Sequence, residues 1–364
     1  MALSASFSQK TLHFNFKART SRGSLTEKKS WFVKVKENGS EIFGIGEAGP
    51  LPGLSVEEGK EFDRGLATIV EAFNSARLTS QSIQPTLDSV HEVLQHIVDP
   101  ATMPSIYFAF ETALLDYLNG GNRTIHQNSF LEGKPIPING LIWMSGMDMM
   151  LQQIEIKIQE GFTCLKLKVG GIDFEKECDI LQYVRRKYFR MDITLRLDAN
   201  GAFKPDEALY KIFELSKFKI HSLEQPLKVG SSSLADLCQK SPIPIALDEE
   251  LIGVAGMEKK RGLLQSILPK YIILKPTLHG GMWGCAEWIQ AAEALKIGWW
   301  MTSALESNVG LNAVAQFTAG FGVETPQGLG TGKIYEDNFE SPLLVKDGLL
   351  SFQKDVPWGD FNFS

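Results

Sequence analysis

Five short stretches decide the fold: Leu165-Lys166-Leu167-Lys168-Val169, Leu195-Arg196-Leu197-Asp198, Leu223-Glu224-Gln225-Pro226, Ala246-Leu247-Asp248-Glu249 and Ile273-Leu274-Lys275-Pro276. Each is an apolar run that ends in an ionisable residue. Helical segments fit between the runs, for example 173–187, 205–217 and 282–296. Working outward, similar runs occur at Ile136–Trp143 and Ile297–Ser303, and a less regular turn passes through Glu324–Gly330. Strands alternating with helices at short spacing imply βαβ units and a parallel sheet. Seven or eight such units predict a closed (β/α)7β barrel of the TIM type rather than an open sheet.

In such a barrel the carboxyl ends of the strands meet at one mouth, where active sites sit. Alternate strand residues share a face. Lys166 and Lys168 therefore point one way, and Leu165, Leu167 and Val169 the other; Arg196 and Asp198 also share a face. The charged set lines the interior near the mouth, where charge is costly unless it pairs or binds metal. An ion-pair network would explain any one of these residues, but less readily all of them together. Asp198, Glu224 and Asp248 are hard oxygen donors that suit Mg2+, with Mn2+ the alternative. Lys168 and Lys275 come from opposite sides of the ring. Clustered cations and a metal are expected to lower a lysine's pKa, giving a general base beside a Lewis acid. That pairing, already known for enolase-type sites, suits proton abstraction next to a carboxylate.

The chain has 364 residues, 43% hydrophobic and 22% charged, which excludes a disordered chain. With 37 basic and 43 acidic residues its formal charge is −6, so nucleic acid and anionic membranes are not expected partners. No apolar stretch reaches the roughly 18 residues of a spanning helix. Cys164, Cys178, Cys238 and Cys285 fit no zinc spacing and read as reduced thiols of a cytoplasmic protein. The expected partner is a small-molecule carboxylate, and no sequence pattern sets an oligomeric state.

The first residues, Met1 to Arg22, lack acids and carry several serines, as transit peptides do. The alternation in Thr11-Leu-His-Phe-Asn-Phe-Lys17 and in Trp31-Phe-Val-Lys-Val35 instead predicts a hairpin of the folded domain. Strands are expected near 11–17, 31–37 and 42–47, and helices over 57–77, 85–98 and 104–118. The organisation is thus an α+β capping domain over 1–120, joined by the tail 331–364, and a barrel over 121–330. Phe352, Trp358, Phe361 and Phe363 of the tail are expected to pack back on the cap. The stretch Gly46-Glu-Ala-Gly-Pro-Leu-Pro-Gly53 is a connector or a loop over the site. The six histidines read as surface or packing residues, with His279 the one nearest the mouth.

The ordered set Lys166-x-Lys168, Asp198-x-Asn200, Glu224-Gln-Pro226, Asp248-Glu249 and Lys275-Pro276 resembles the enolase superfamily, most closely its muconate-lactonizing subgroup. Steps of 30, 26, 24 and 27 residues separate Lys168, Asp198, Glu224, Asp248 and Lys275, each about one βα unit. The seventh strand end, Met301-Thr-Ser-Ala-Leu-Glu306, offers no His, unlike mandelate-racemase-like sites. Dipeptide epimerases carry an Asp-x-Asp where this chain has Gly328-Leu329-Gly330, so a cationic substrate lacks a partner. The stretch 46–53, together with Ser303-Ala-Leu-Glu306-Ser307-Asn308-Val-Gly310, looks like the o-succinylbenzoate synthase family.

That resemblance implies a syn dehydration through a metal-stabilised enediolate. Lys168 would take the proton alpha to the carboxylate, Lys275 would stabilise charge and Lys166 would assist. Asp198, Glu224 and Asp248 would hold Mg2+, with Arg196 and Asn200 close by. Ser303 and Ser307 are candidate contacts to the substrate's succinyl carboxylate, and Arg19–Gly23 a candidate lid. Glu249 and Glu250 are expected to support the site rather than bind metal. An N-succinylamino-acid racemase, a dipeptide epimerase, a muconate-type cycloisomerase and a non-catalytic metal-binding relative are the alternatives.

Overall fold

The computed structural model describes residues 2–20, 23–57, 59 and 61–361. It opens with an antiparallel sheet of β1 (Leu3–Thr20), β2 (Gly23–Glu37) and β3 (Gly44–Ala48). β1 starts well before residue 11 because the small residues of 3–10 continue the alternation: Leu3 and Ala5 are buried and Ser6 is exposed. The serines that resemble a transit peptide are thus the polar face of a strand. Three helices follow: α1 (Phe62–Ser75), α2 (Leu87–Leu94) and α3 (Pro104–Leu118). α3 is buried from Pro104 to Asp116 and lies on β3. Two glycines allow this approach, since a Cβ at Gly44 or Gly46 would overlap the carbonyl oxygen of Ala113 or Ala109.

The second half holds seven parallel strands in chain order: β5 (Gly140–Ile142), β6 (Cys164–Lys168), β7 (Thr194–Asp198), β8 (Ile220–Glu224), β9 (Ile245–Leu247), β10 (Tyr271–Leu274) and β11 (Gly298–Met301). Helices α4 (Met147–Gln159), α5 (Phe174–Lys187), α6 (Pro205–Ser216), α7 (Leu234–Lys240), α8 (Met257–Ile267) and α9 (Gly281–Ala294) alternate with them, and α10 (Asn308–Ala319) follows β11. The ring closes through Gln327 and Gly328. Gln327 makes a parallel bridge to Ile138 and Gly328 one to Thr302. The Asn139 amide donates to Gln327 O at 2.9 Å, and the Gly328 amide to Met301 O at 2.7 Å. The eighth, irregular turn at Glu324–Gly330 therefore plays the part of the last strand.

One expected strand is divided. Of Ile136–Trp143, only Gly140–Ile142 joins the barrel. Ile136–Pro137, β4, pairs with the tail hairpin of β12 (Leu343–Lys346) and β13 (Leu349–Phe352). Pro137 has no amide to donate, and its carbonyl accepts the Gln327 amide at 2.8 Å, so the chain changes sheets there. The tail is shared between the two halves. Phe352 packs on Phe130 (6.0 Å between ring centres), whereas Phe361 lies 6.3 Å from Phe43 of the cap. Trp358 lies 5.9 Å from Phe361, its ring tilted by 34°. Phe363 lies outside the described residues.

Candidate active site

A cavity of about 940 Å3 opens between the barrel mouth and the cap. Its polar floor carries Lys166, Lys168, Asp198, Asn200, Asp248 and Lys275. Its upper walls are apolar, with Phe16, Trp143, Met144, Leu51, Leu54 and Leu305. Leu51 and Leu54 pack with Leu278 and Ala304, so the 46–53 segment and its extension form part of the roof. Phe16 of the cap hairpin meets Trp143 edge-on at 5.3 Å. Ser21 and Arg22, the centre of the candidate lid Arg19–Gly23, lie outside the described residues.

Lys166 Nζ lies 2.6 Å from Glu224 Oε1 and 3.1 Å from Asp198 Oδ2. Lys168 Nζ donates to Asp198 Oδ2 at 3.0 Å and to Asn200 Oδ1 at 2.7 Å. Asn200 in turn donates to Glu249 Oε1 at 2.9 Å, so Glu249 supports the floor indirectly. Lys275 Nζ donates to Asp248 Oδ2 at 2.5 Å. Glu250 accepts from Gln225 Nε2 at 3.1 Å, and Gln225 Oε1 accepts the Asp248 amide at 3.2 Å. The Glu-Gln-Pro turn after β8 thereby braces the end of β9.

Lys166, Asp198, Glu224, Asp248, Glu249 and Lys275 are all more than nine-tenths buried. Burial works against the Lys166 ammonium, but Asp198, Glu224 and Asp248 outweigh it and raise its pKa. Lys275 is likewise raised, chiefly by Asp248 against burial. For Lys275 this runs against the expected lowering, because its nearest neighbour is the Asp248 carboxylate rather than another cation. Asp198 is held below the usual carboxylate range by Lys166 and Lys168 in spite of burial, and Asp248 by Lys275. Glu224 bears the repulsion. Burial, then the charge of Asp198, pushes it up to about 8.

Among the described residues, no three His, Cys or acidic side chains close into a ready ligand group, because lysine ammoniums stand between the three carboxylates. The donor set nevertheless fits a hard divalent cation. Asp248 Oδ1 is buried without a hydrogen-bond partner on a residue that lines the cavity.

Two of the candidate residues, Arg196 and Ser307, lie away from the cavity. Arg196 shares the Asp198 face but lies one layer deeper. Its guanidinium stacks 4.0 Å from the Trp300 ring centre and donates to Pro326 O at 2.7 Å, filling the barrel interior. Ser307 is fully buried. Its hydroxyl donates to Glu47 Oε2 at 2.5 Å and accepts the Val309 amide at 3.2 Å as the cap of α10. Ser303 does line the cavity, but its hydroxyl donates to Glu306 Oε2 at 2.5 Å and accepts from Thr331 Oγ1 at 2.7 Å. His279 packs behind Lys275, in keeping with its reading as a packing residue, and burial pushes its pKa down to about 3.

The sequence reading passed over the apolar walls and two rim cations, Lys17 and Lys333, which line the same cavity. Trp143 and Met144 follow the carboxyl end of β5. The strand-end rule that found the charged residues would have found them, had it been applied to aromatic and thioether side chains as well.

The enolase C-terminal domain-like family matches residues 149–357. The chain belongs to that family, within the enolase superfamily. It is 43% identical over 363 residues to an o-succinylbenzoate synthase of Desulfotalea psychrophila, covering 95% of this chain and 98% of that one. The crystal structure of MenC from Desulfotalea psychrophila LSv54 superposes with a TM-score of 0.85 at 39% identity, over 96% of this chain and 100% of that one. The L-Ala-D/L-Glu epimerase of Bacillus subtilis is 24% identical over 315 residues, 80% of this chain and 81% of that one. Members of the enolase superfamily generally use a divalent metal.

Proposed function

We propose that the chain catalyses the o-succinylbenzoate synthase reaction, the Mg2+-dependent syn dehydration of 2-succinyl-6-hydroxy-2,4-cyclohexadiene-1-carboxylate to 2-succinylbenzoate in menaquinone biosynthesis. The observation that carries this reading is the pair Lys168 and Lys275, four strands apart in the ring, flanking one carboxylate floor under apolar walls. The 43% identity to a synthase over almost the whole chain supports it. So does the Gly328–Gly330 wall, which lines the cavity and offers no acid to an ammonium substrate.

Asp198, Glu224 and Asp248 would hold Mg2+, with Mn2+ the alternative. When bound, such a cation would supply Lewis-acid stabilisation of charge on the substrate carboxylate. Lys168 Nζ removes the proton alpha to that carboxylate, and Asn200 orients the amine. The electron pair of the broken C–H bond becomes the ring double bond, and the C–O bond breaks. Lys168, now protonated, returns its proton to the departing hydroxyl, which leaves as water. Proton and hydroxyl depart from the face Lys168 occupies, so the elimination is syn. Lys275 keeps its positive charge on the other face, stabilising developing negative charge. Lys166 screens Asp198 from Glu224. Phe16, Trp143 and Leu54 exclude water from the ring, while Lys17 and Lys333 match the charge of the succinyl carboxylate.

We assign the capping domain to residues 1–120 with the tail 331–364, and the chemistry to the barrel, 121–330. We place the enzyme in the cytoplasm, which the unpaired state of Cys164, Cys178, Cys238 and Cys285 supports. Two lysines on opposite faces also suit an N-succinylamino-acid racemase. Product analysis in D2O separates the two. The synthase reading expects an aromatic product from the diene and is refuted if only the alpha proton of N-succinyl amino acids exchanges.

A further inference from the structure

We propose that His279 is a positioning residue for Lys275, holding the backbone from which that ammonium reaches into the site. This inference rests on the synthase reading for the step it affects, though not for the geometry it describes. The β10 ladder ends at Leu274, whose carbonyl accepts the Thr302 amide at 2.8 Å. One residue further on, the Lys275 amide has left the sheet, and His279 Nδ1 accepts it at 3.0 Å. The Lys275 carbonyl is tied to the same turn, accepting the Leu278 amide at 2.9 Å and the His279 amide at 3.1 Å. Both backbone polar groups of Lys275 are therefore closed onto residues 278 and 279.

The surroundings hold this turn in place. Pro276 restricts Lys275 to extended backbone. Gly280 and Gly281, at φ +80° and +76°, turn the chain into α9, and a Cβ at Gly281 would press on Glu111 and Tyr107. The Glu111 carboxylate then accepts the Met282 and Trp283 amides at 2.6 and 2.9 Å, anchoring the start of α9 to the cap. Accepting an amide requires a bare Nδ1, so the proton of His279 sits on Nε2. That Nε2 is buried without a hydrogen-bond partner. Leaving that donor unpaired costs stability. The compensation lies on the other ring nitrogen, in the placement of Lys275. Rigid support of this kind acts on the transition state, because a small misplacement of a catalytic group costs rate more than binding.

The test compares the Mg2+-loaded wild type with His279→Leu and His279→Asn. Leucine fills the space but accepts nothing. Asparagine carries Oδ1 where histidine carries Nδ1. His279→Leu is expected to lower kcat for the diene by roughly ten- to a hundredfold, on the scale of a misplaced catalytic group, with KM little changed. His279→Asn is expected to recover most of it. In parallel, hydrogen exchange of the peptide that contains Lys275 is expected to quicken in the Leu variant alone. Equal kcat in wild type and the Leu variant overturns the proposal, as does an Asn variant as slow as the Leu variant. If the wild type does not act on the diene, the functional reading fails, and the exchange measurement still decides whether His279 holds Lys275.

Discussion

Removing the Glu47 carboxylate should separate cap from barrel more sharply than any other single truncation. Glu47 is the penultimate residue of β3 and is fully buried. It accepts from Ser30 Oγ at 2.8 Å, from the Ser307 amide at 2.9 Å and hydroxyl at 2.5 Å, and from the Gly310 amide at 3.1 Å. The buried Lys28 ammonium lies 3.9 Å away and donates to Leu305 O at 3.0 Å. Glu47→Ala takes the main counter-charge from that ammonium and leaves only Glu306 acting on it, and breaking a buried pair costs about 3–5 kcal/mol. It also orphans the two amides at the start of α10, each worth about 1–3 kcal/mol when buried and unpaired. These terms overlap, so the total is placed near the top of the pair range, about 5 kcal/mol. Urea unfolding followed by tryptophan fluorescence measures it. Adding Lys28→Met to Glu47→Ala removes the stranded charge and should restore about 2 kcal/mol or more, within the range of couplings between contacting residues. A single-variant loss below about 1 kcal/mol, no larger than a surface pair, would refute the reasoning. So would a double variant no more stable than the single one.

Three further outcomes follow from the same structure. Glu111 is fully buried, and burial pushes its pKa up to about 8. Its protonated form therefore contributes stability that is complete below the ordinary carboxyl range near 4.5 and is lost as pH rises through about 8. Glu111→Gln should flatten that decline in a pH series of unfolding midpoints, and an unchanged slope would show that Glu111 does not carry it. Ser307→Ala should cost about 1 kcal/mol as a lost helix cap while leaving KM for the diene unchanged, whereas a selective rise in KM would restore Ser307 as a substrate contact. Mg2+ at a hundred times its Kd should raise stability by about 2.7 kcal/mol in wild type. Asp248→Asn should abolish most of that gain in a thermal-shift titration, and an equal shift in both proteins would move the metal elsewhere.

The strand-end charges were readable because each interrupts an apolar run of period two, and the βα spacing brings such ends to one mouth. Periodicity reports which face a residue shares, not how deep along the barrel axis it sits. Arg196 therefore read like Asp198, although it fills the interior against Trp300. A hydroxyl's partner is still less local. Ser307 is held by Glu47, 260 positions earlier in the chain, and no nearby residue announces it. Pro137 gave a local hint that the first barrel run divides, but the partner that takes Ile136–Pro137 is the tail hairpin more than 200 residues on. The raised pKa values of Lys166 and Lys275 depend on summed distances among five buried charges, which no linear pattern encodes.

The central claim is that Lys168 and a bound divalent cation dehydrate a cyclohexadiene carboxylate. Ultraviolet absorbance of the diene substrate tests it most directly, with purified wild type and Lys168→Ala, each with Mg2+ and with chelator. The account expects rapid loss of the diene band in wild type with Mg2+ alone, and none with Lys168→Ala under either condition. A diene band that persists in wild type with saturating Mg2+, or one that Lys168→Ala consumes at the wild-type rate, would contradict it.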